Sequence, residues 1–411
     1  IFLARALGPD EFGVFSAVLA LTSVMGGVLE LRLHEVVARD YCRIEDYKKD
    51  GREQDLRLVD LFVLDVICRI IPTVILIIFS NFLSQVINIE NNSDELLILA
   101  AVSYTLSKSG NAVSTGILRV LSRTDIIAGC MTIDWSMRLI VTFLLSMSLY
   151  LNVIVTLWIA LIIGAMCNGL LFWLSIKEFN KRIDPITTNG WSIWGCIKRL
   201  SDSRRLIFSN WGVSCSELMA KDLDIALISS MVTSDKVGIY KMAKTLVQVI
   251  WRVIDPFYIT IMPEIQRLWQ LRRYSDAKEL IVATSIKLLA LSIIVVTLAN
   301  LFVMLFGSML LGMKYDGVSE YMLIMSFWIV LASPLIWGSA LSIAVGRPEI
   351  NLIGALLSQV IGVAAFFFIT PTMGLLGAAI AWNITIIFNF AIIALGAIQS
   401  ARNISEEFNV F

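Results

Sequence analysis

Histidine is almost missing from this chain of 411 residues, with His34 as its one copy. A His-rich zinc site is therefore excluded, and a Ser-His-Asp triad would have a single candidate base. The cysteines, Cys42, Cys68, Cys130, Cys167, Cys196 and Cys215, include no C-x-x-C pair. Cys68, Cys130, Cys167 and Cys215 lie inside apolar runs, so the set reads as small buried residues, with no disulfide frame and no metal site. Charge is scarce as well: charged residues are 16% of the chain, against about 25% in an average soluble protein. Lys+Arg and Asp+Glu balance at 33 each, which leaves no excess of basic charge for nucleic acid. The chain also lacks a Gly-rich phosphate cradle or other nucleotide motif, which argues against an ATP-driven pump. No cofactor is expected.

What the chain has in abundance is hydrocarbon. Hydrophobic residues are 57% of the sequence and mean hydropathy is +0.80, a composition that suits a bilayer better than water. Apolar runs long enough to cross a membrane fall near 12–38, 58–88, 95–121, 126–149, 153–176, 207–232, 237–262, 280–311, 318–345, 350–370 and 374–398. With a stub at 1–7, read as the end of a longer apolar segment, they predict an all-α polytopic membrane protein of about twelve transmembrane helices, the first incomplete. Pro72 and Pro334 fall inside runs, where a missing N–H predicts a kink.

The loops alternate in length and charge. One set, 8–11, 89–94, 150–152, 233–236, 312–317 and 371–373, is short and carries only Lys236 and Lys314. The other set includes 39–57, 177–206 and 263–279, and it holds the remaining loop cations, among them Arg39, Lys48, Arg123, Arg204, Arg272 and Arg347. The positive-inside rule then places the basic loops and both chain ends in the cytoplasm. Short outward loops leave little room for an external catalytic domain, so a transporter is expected and an enzyme is not.

An internal repeat is visible. Residues 12–21 align with 237–246, setting Gly13 opposite Gly238, and Ser122–Asp125 aligns with Gly346–Glu349 at nearly the same offset. An even number of spans separates the copies, so the halves have the same orientation. The expected division is an N-terminal bundle over 1–176, a basic cytoplasmic linker over 177–206, a C-terminal bundle over 207–398 and a tail from 399 to 411.

Charges inside the spans are costly, at least about 2.5–3.5 kcal/mol each at mid-bilayer on the insertion scale, so they should face protein or water. Asp65 with Arg69, Asp134 with Arg138 and Glu217 with Lys221 have the i, i+4 spacing of helix ion pairs. Lys241 and Lys244 share a helix face with no acid three or four residues away, and Lys108 lies in the polar island Ser107–Asn111. Such cations predict a wet, positive cavity for an anionic ligand. Its candidate residues are Lys108, Lys241, Lys244, Arg32, Arg69, Arg138, Lys221 and Arg252, with Asp65, Asp134 and Asp224 as candidate ion-coupling acids.

The stretch Leu3-Ala4-Arg5-Ala6-Leu7-Gly8-Pro9-Asp10-Glu11-Phe12-Gly13-Val14-Phe15 resembles the first inter-helix turn of bacterial polysaccharide flippases. These form the O-antigen and capsule, Wzx-like branch of the multidrug/oligosaccharidyl-lipid/polysaccharide exporter superfamily. Val237–Ala243, Ile261–Ile265 and Gly374–Ala381 agree with the same pattern. The resemblance implies a MATE-like, V-shaped pair of six-helix bundles in the bacterial inner membrane. It implies transport of a polyprenyl-pyrophosphate-linked oligosaccharide from inner to outer leaflet, with the cations above lining the cavity. A polysaccharide polymerase and a chain-length regulator are the expected protein partners. A drug or cation antiporter of the same superfamily is the alternative, and a polysaccharide polymerase or ligase a more distant one.

Overall fold

The computed structural model describes residues 1–40, 51–86, 93–147, 152–182, 207, 211–212, 214 and 222–404. Among these the chain is α-helical with short 3-10 turns and no strand. Nine helical stretches among the described residues are long and apolar enough to cross a membrane, and the protein is a multi-pass membrane protein. Helices suit that solvent because each satisfies its backbone donors and acceptors within one segment. The basic linker beyond residue 182, the tail beyond residue 404 and Lys221 lie outside the described residues.

The helices are α1 (Phe2–Val28), α2 (Leu33–Asp40), α3 (Gly51–Ile78), α4 (Ser80–Val86), α5 (Ser93–Lys108), α6 (Asn111–Val120), α7 (Thr124–Met147) and α8 (Val153–Arg182). They continue with α9 (Asp224–Ile228), α10 (Ser234–Gln270), α11 (Tyr274–Leu311), α12 (Val318–Ala332), α13 (Trp337–Ala344), α14 (Glu349–Met373) and α15 (Leu375–Arg402). Four of the expected spans are interrupted among the described residues, including 58–88 at Phe79, between α3 and α4, and 318–345. The run 12–38 breaks between α1 and α2, where Arg32 takes φ 47°, and the run 95–121 breaks at Gly110, with φ 76° and ψ −6°. Glycine suits that left-handed position because it has no Cβ to clash. The helix α3 continues through Pro72 without a break, whereas at Pro334 a 3-10 turn, Ser333–Leu335, separates α12 from α13.

The chain forms two compact units. The N-terminal unit comprises Ala17–Leu218, in which α5 packs on α8 and α3, α7 on α8, and α2 on α6. Leu33, Val36, Leu58, Leu61, Val113 and Ile117 form the core between α2, α3 and α6. The C-terminal unit comprises Met219–Phe411 together with Leu3–Ser16. Its central helix is α15, which packs on α12, α13 and α14. Gly354, Ser358 and Gly362, one turn apart on α14, are buried and form a small-residue stripe that brings this helix close to Ile393 and Thr385 of α15.

Leu3–Ser16 falls in the sequence repeat's first half yet packs with the C-terminal unit. The Tyr315 hydroxyl donates to the Ala4 carbonyl at 2.8 Å, and Arg5 donates to the Met309 carbonyl at 3.3 Å. The repeat glycines meet here. A Cβ on Gly13 would lie 1.7 Å from the Ser234 carbonyl oxygen, and one on Gly238 would lie 2.0 Å from the Pro9 carbonyl oxygen. Both obstacles are backbone, so neither can rotate away. Gly13→Val should therefore destabilise the protein by at least about 3 kcal/mol, read as a lower thermal midpoint in detergent. A midpoint equal to that of the parent protein would refute this crossing.

Candidate functional site

The N-terminal unit gathers most of the predicted charges around two of its helix breaks, at 29–32 and at Gly110. Arg69 on α3 is the hub. Its Nη1 donates to the Tyr104 hydroxyl at 2.6 Å, its Nη2 lies 3.9 Å from Glu30 Oε1 and its Nε lies 3.8 Å from Asp65 Oδ1. The guanidinium carbon is 5.6 Å from the centre of the Tyr104 ring. Asp65 and Arg69 are buried, so this pair meets the charge cost of the interior by mutual neutralisation. Tyr104 reaches the hub because Gly26 on α1 has no side chain; a Cβ there would lie 2.3 Å from the phenol ring. Glu30 itself sits in the break between α1 and α2.

A broken helix leaves orphan backbone groups, and polar side chains take them up. Asn168 of α8 donates to the Leu106 carbonyl at 3.0 Å and to the Ser109 carbonyl at 2.8 Å, and its Oδ1 accepts from Asn111 at 3.3 Å. Asp65 lies near the backbone amides of Gly110 and Ala112 at the start of α6. Trp211 donates its indole N–H to the Val28 carbonyl at 2.6 Å, at the end of α1. On α3 the Arg69 carbonyl, three residues before Pro72, accepts from the Thr73 and Thr105 hydroxyls at 3.0 and 3.3 Å.

Lys108 closes α5 beside this cluster. It is exposed, and its ammonium group forms no ion pair or hydrogen bond among the described residues. The charges around it are Arg69, Glu30, Arg138 and Asp134. Arg138 on α7 donates to Asp134 at 2.9 Å, the i, i+4 pair expected from spacing, and both side chains remain partly exposed. Arg32 pairs with Glu35 at 3.4 Å.

The C-terminal unit corrects the reading of Lys241 and Lys244 as unpaired cations. Lys244 Nζ lies 2.7 Å from Asp224 Oδ1, and both side chains are 0% exposed. The Tyr240 hydroxyl donates to Asp224 Oδ2 at 2.8 Å, and the Lys244 ammonium lies 5.5 Å from the centre of the Trp382 ring. A fully buried, neutralised lysine lines no wet cavity, so Lys244 is withdrawn as a cavity cation. Asp224 is equally buried, and in this arrangement it is a structural partner without access to water. Lys241 pairs with Asp222 at 3.0 Å and stays about one quarter exposed. The partners were missed because they come from a preceding element, whereas the spacing rule looks along one helix. Arg252 is exposed on α10, away from any ion pair among the described residues.

Sequence reasoning also passed over Tyr104 and Asn168. Tyr104 lies four residues before Lys108, one helical turn away, and Asn168 is an isolated amide inside the apolar run of α8. No group of three or more His, Cys, Asp or Glu among the described residues is placed to hold a metal.

Solved structures share this fold. A multidrug resistance MATE family transporter of the MOP superfamily, in its inward-facing conformation, superposes with a TM-score of 0.73 at 17% identity, over 99% of this chain and 93% of that one. The lipid II flippase MurJ gives a TM-score of 0.61 at 14% identity, over 97% of this chain and 88% of its own. The Vibrio cholerae MATE transporter VcmN, in its bent form, gives 0.55 at 12% identity, over 99% and 98%. These likenesses establish a MATE-type fold. No curated protein matches the sequence. The family model described as polysaccharide biosynthesis protein matches residues 1–269, well over half of the length, and the chain is a member of that family.

Proposed function

We propose that this protein carries a polyprenyl-pyrophosphate-linked oligosaccharide, an O-antigen or capsule repeat unit, from the inner to the outer leaflet of a bacterial inner membrane by alternating access. Family membership and a membrane-spanning MATE-type fold support a transporter of lipid-linked sugars. The observation that carries the substrate class is Lys108, at a helix break, whose ammonium has no ion pair among the described residues and has Arg69 and Arg138 among the charges around it. A pyrophosphate would pair with Lys108 by charge-assisted hydrogen bonds, and Arg138 would add its partly exposed guanidinium. Asp65 and Asp134, each beside an arginine, are the groups left to couple an ion gradient. The positive-inside distribution supports cytoplasmic chain ends. A polymerase and a chain-length regulator are the partners this role requires, and no step in it is enzymatic.

Deleting the gene should abolish surface polysaccharide while lipid-linked repeat units accumulate on the cytoplasmic leaflet. Restored polymer on re-expression is the expected result. Undiminished polymer in the deletion strain would overturn the proposal. The carboxylates Glu30, Asp65 and Asp134 in the same cluster favour a second reading, cation or drug antiport. It predicts altered drug resistance with polysaccharide unchanged.

A further inference from the structure

The N-terminal unit holds a cavity of about 800 Å³ walled by α3, the α5–α6 junction and α8. We propose that this cavity seats the prenyl tail of the transported molecule; the inference rests on the lipid-linked substrate assigned above. Phe62, Val66, Ile67, Leu106 and Phe172 make its walls apolar. Asn168, one of its few polar liners, has both amide hydrogens committed to the Leu106 and Ser109 carbonyls, so it offers water little. Hydrocarbon is the occupant such walls favour.

The cavity is continuous with an exposed apolar surface. Its liners Ile67, Leu106 and Phe172 are exposed, and apolar exposure continues along α3 through Ile70, Ile71 and Val74 and along α8 through Met166 and Trp173. A chain could therefore enter sideways from the bilayer without crossing water. Ser109 and Gly110 line the cavity, and the residue before them is Lys108, which has no ion pair among the described residues. A single peptide bond thus joins the cationic residue to the cavity wall. Polyprenyl pyrophosphate bonds its phosphate directly to a single chain and matches that short spacing. A glycerolipid interposes a glycerol and two esters, whose carbonyls would fall against apolar walls with few donors.

Gly169 supplies the test. It lines the cavity, and a Cβ placed there meets no atom within 4 Å. Gly169→Leu therefore fills the space without a clash at Cβ and raises helix propensity. The full chain in nanodiscs would be photolabelled with polyprenyl pyrophosphate bearing a tail diazirine, and separately with a diazirine-tailed phosphatidylglycerol. The prenyl probe should label peptides containing Phe62–Ile67 and Ala165–Phe172, unlabelled polyprenyl pyrophosphate should compete, and Gly169→Leu should cut labelling there at least about tenfold. Equal, uncompeted labelling by phosphatidylglycerol would make the cavity a bulk-lipid site and overturn the proposal. Competed prenyl labelling confined to other peptides would overturn the tail seat while leaving the flippase reading intact. No competed prenyl labelling anywhere would overturn both. If Gly169→Leu fails to fold, the labelled peptides and the competition in the parent protein decide alone.

Discussion

Lys244→Ala should lower stability by about 3–5 kcal/mol, because it strips the ammonium from a fully buried carboxylate. Asp224 would keep the Tyr240 hydroxyl but lose the charge that makes its ionisation tolerable in the interior. The lysine also contributes its contact with the Trp382 face, part of an aromatic group in which Trp328 lies 5.8 Å from Trp382 and 4.7 Å from Trp251. Asp224→Ala should cost a similar amount by leaving the ammonium without its carboxylate. The double variant Lys244→Met with Asp224→Leu removes both charges at comparable volume, and it should recover most of the loss. Thermal unfolding of the purified proteins in detergent reads the ordering directly. A single variant as stable as the parent would show that the pair is not buried as described.

Lys108→Met should have the opposite profile, with folding retained and transport lost. Its ammonium makes no ion pair among the described residues, so removing it orphans no carboxylate. Contacts to a charged group are worth about 1.5–3 kcal/mol, so affinity for a polyprenyl pyrophosphate should fall roughly 10- to 100-fold. Lys108→Arg should retain most of that affinity, since the charge remains. Binding titration beside a thermal melt separates the two effects. An unchanged dissociation constant for Lys108→Met would remove this residue from the substrate site.

These two lysines also mark how far the sequence carries. The helix break beside Lys108 was legible because Ser107, Ser109, Gly110 and Asn111 interrupt an apolar run. The break at Gly110 follows from the same island, although its left-handed geometry is a backbone fact that no hydropathy pattern contains. Asp65–Arg69 and Asp134–Arg138 were legible because helical spacing fixes which side chains share a face. Lys244 was misread because its partner Asp224 arrives from a separate helix through tertiary packing. Glu30 shows the same gap, since it reaches Arg69 from an interruption in a run that reads as one continuous span. The repeat glycines fared better. Gly13 and Gly238 stood out by alignment, and they meet at the crossing where Leu3–Ser16 packs against α10.

The decisive measurement is leaflet exchange in proteoliposomes. The purified chain would be reconstituted with a fluorescent polyprenyl-pyrophosphate-linked oligosaccharide on one leaflet, and an impermeant quencher would report its arrival on the other. The flippase reading predicts exchange well above that of protein-free vesicles, strongly reduced by Lys108→Met and retained by Lys108→Arg. Exchange no faster than in empty vesicles, or equal rates for all three proteins, would contradict it.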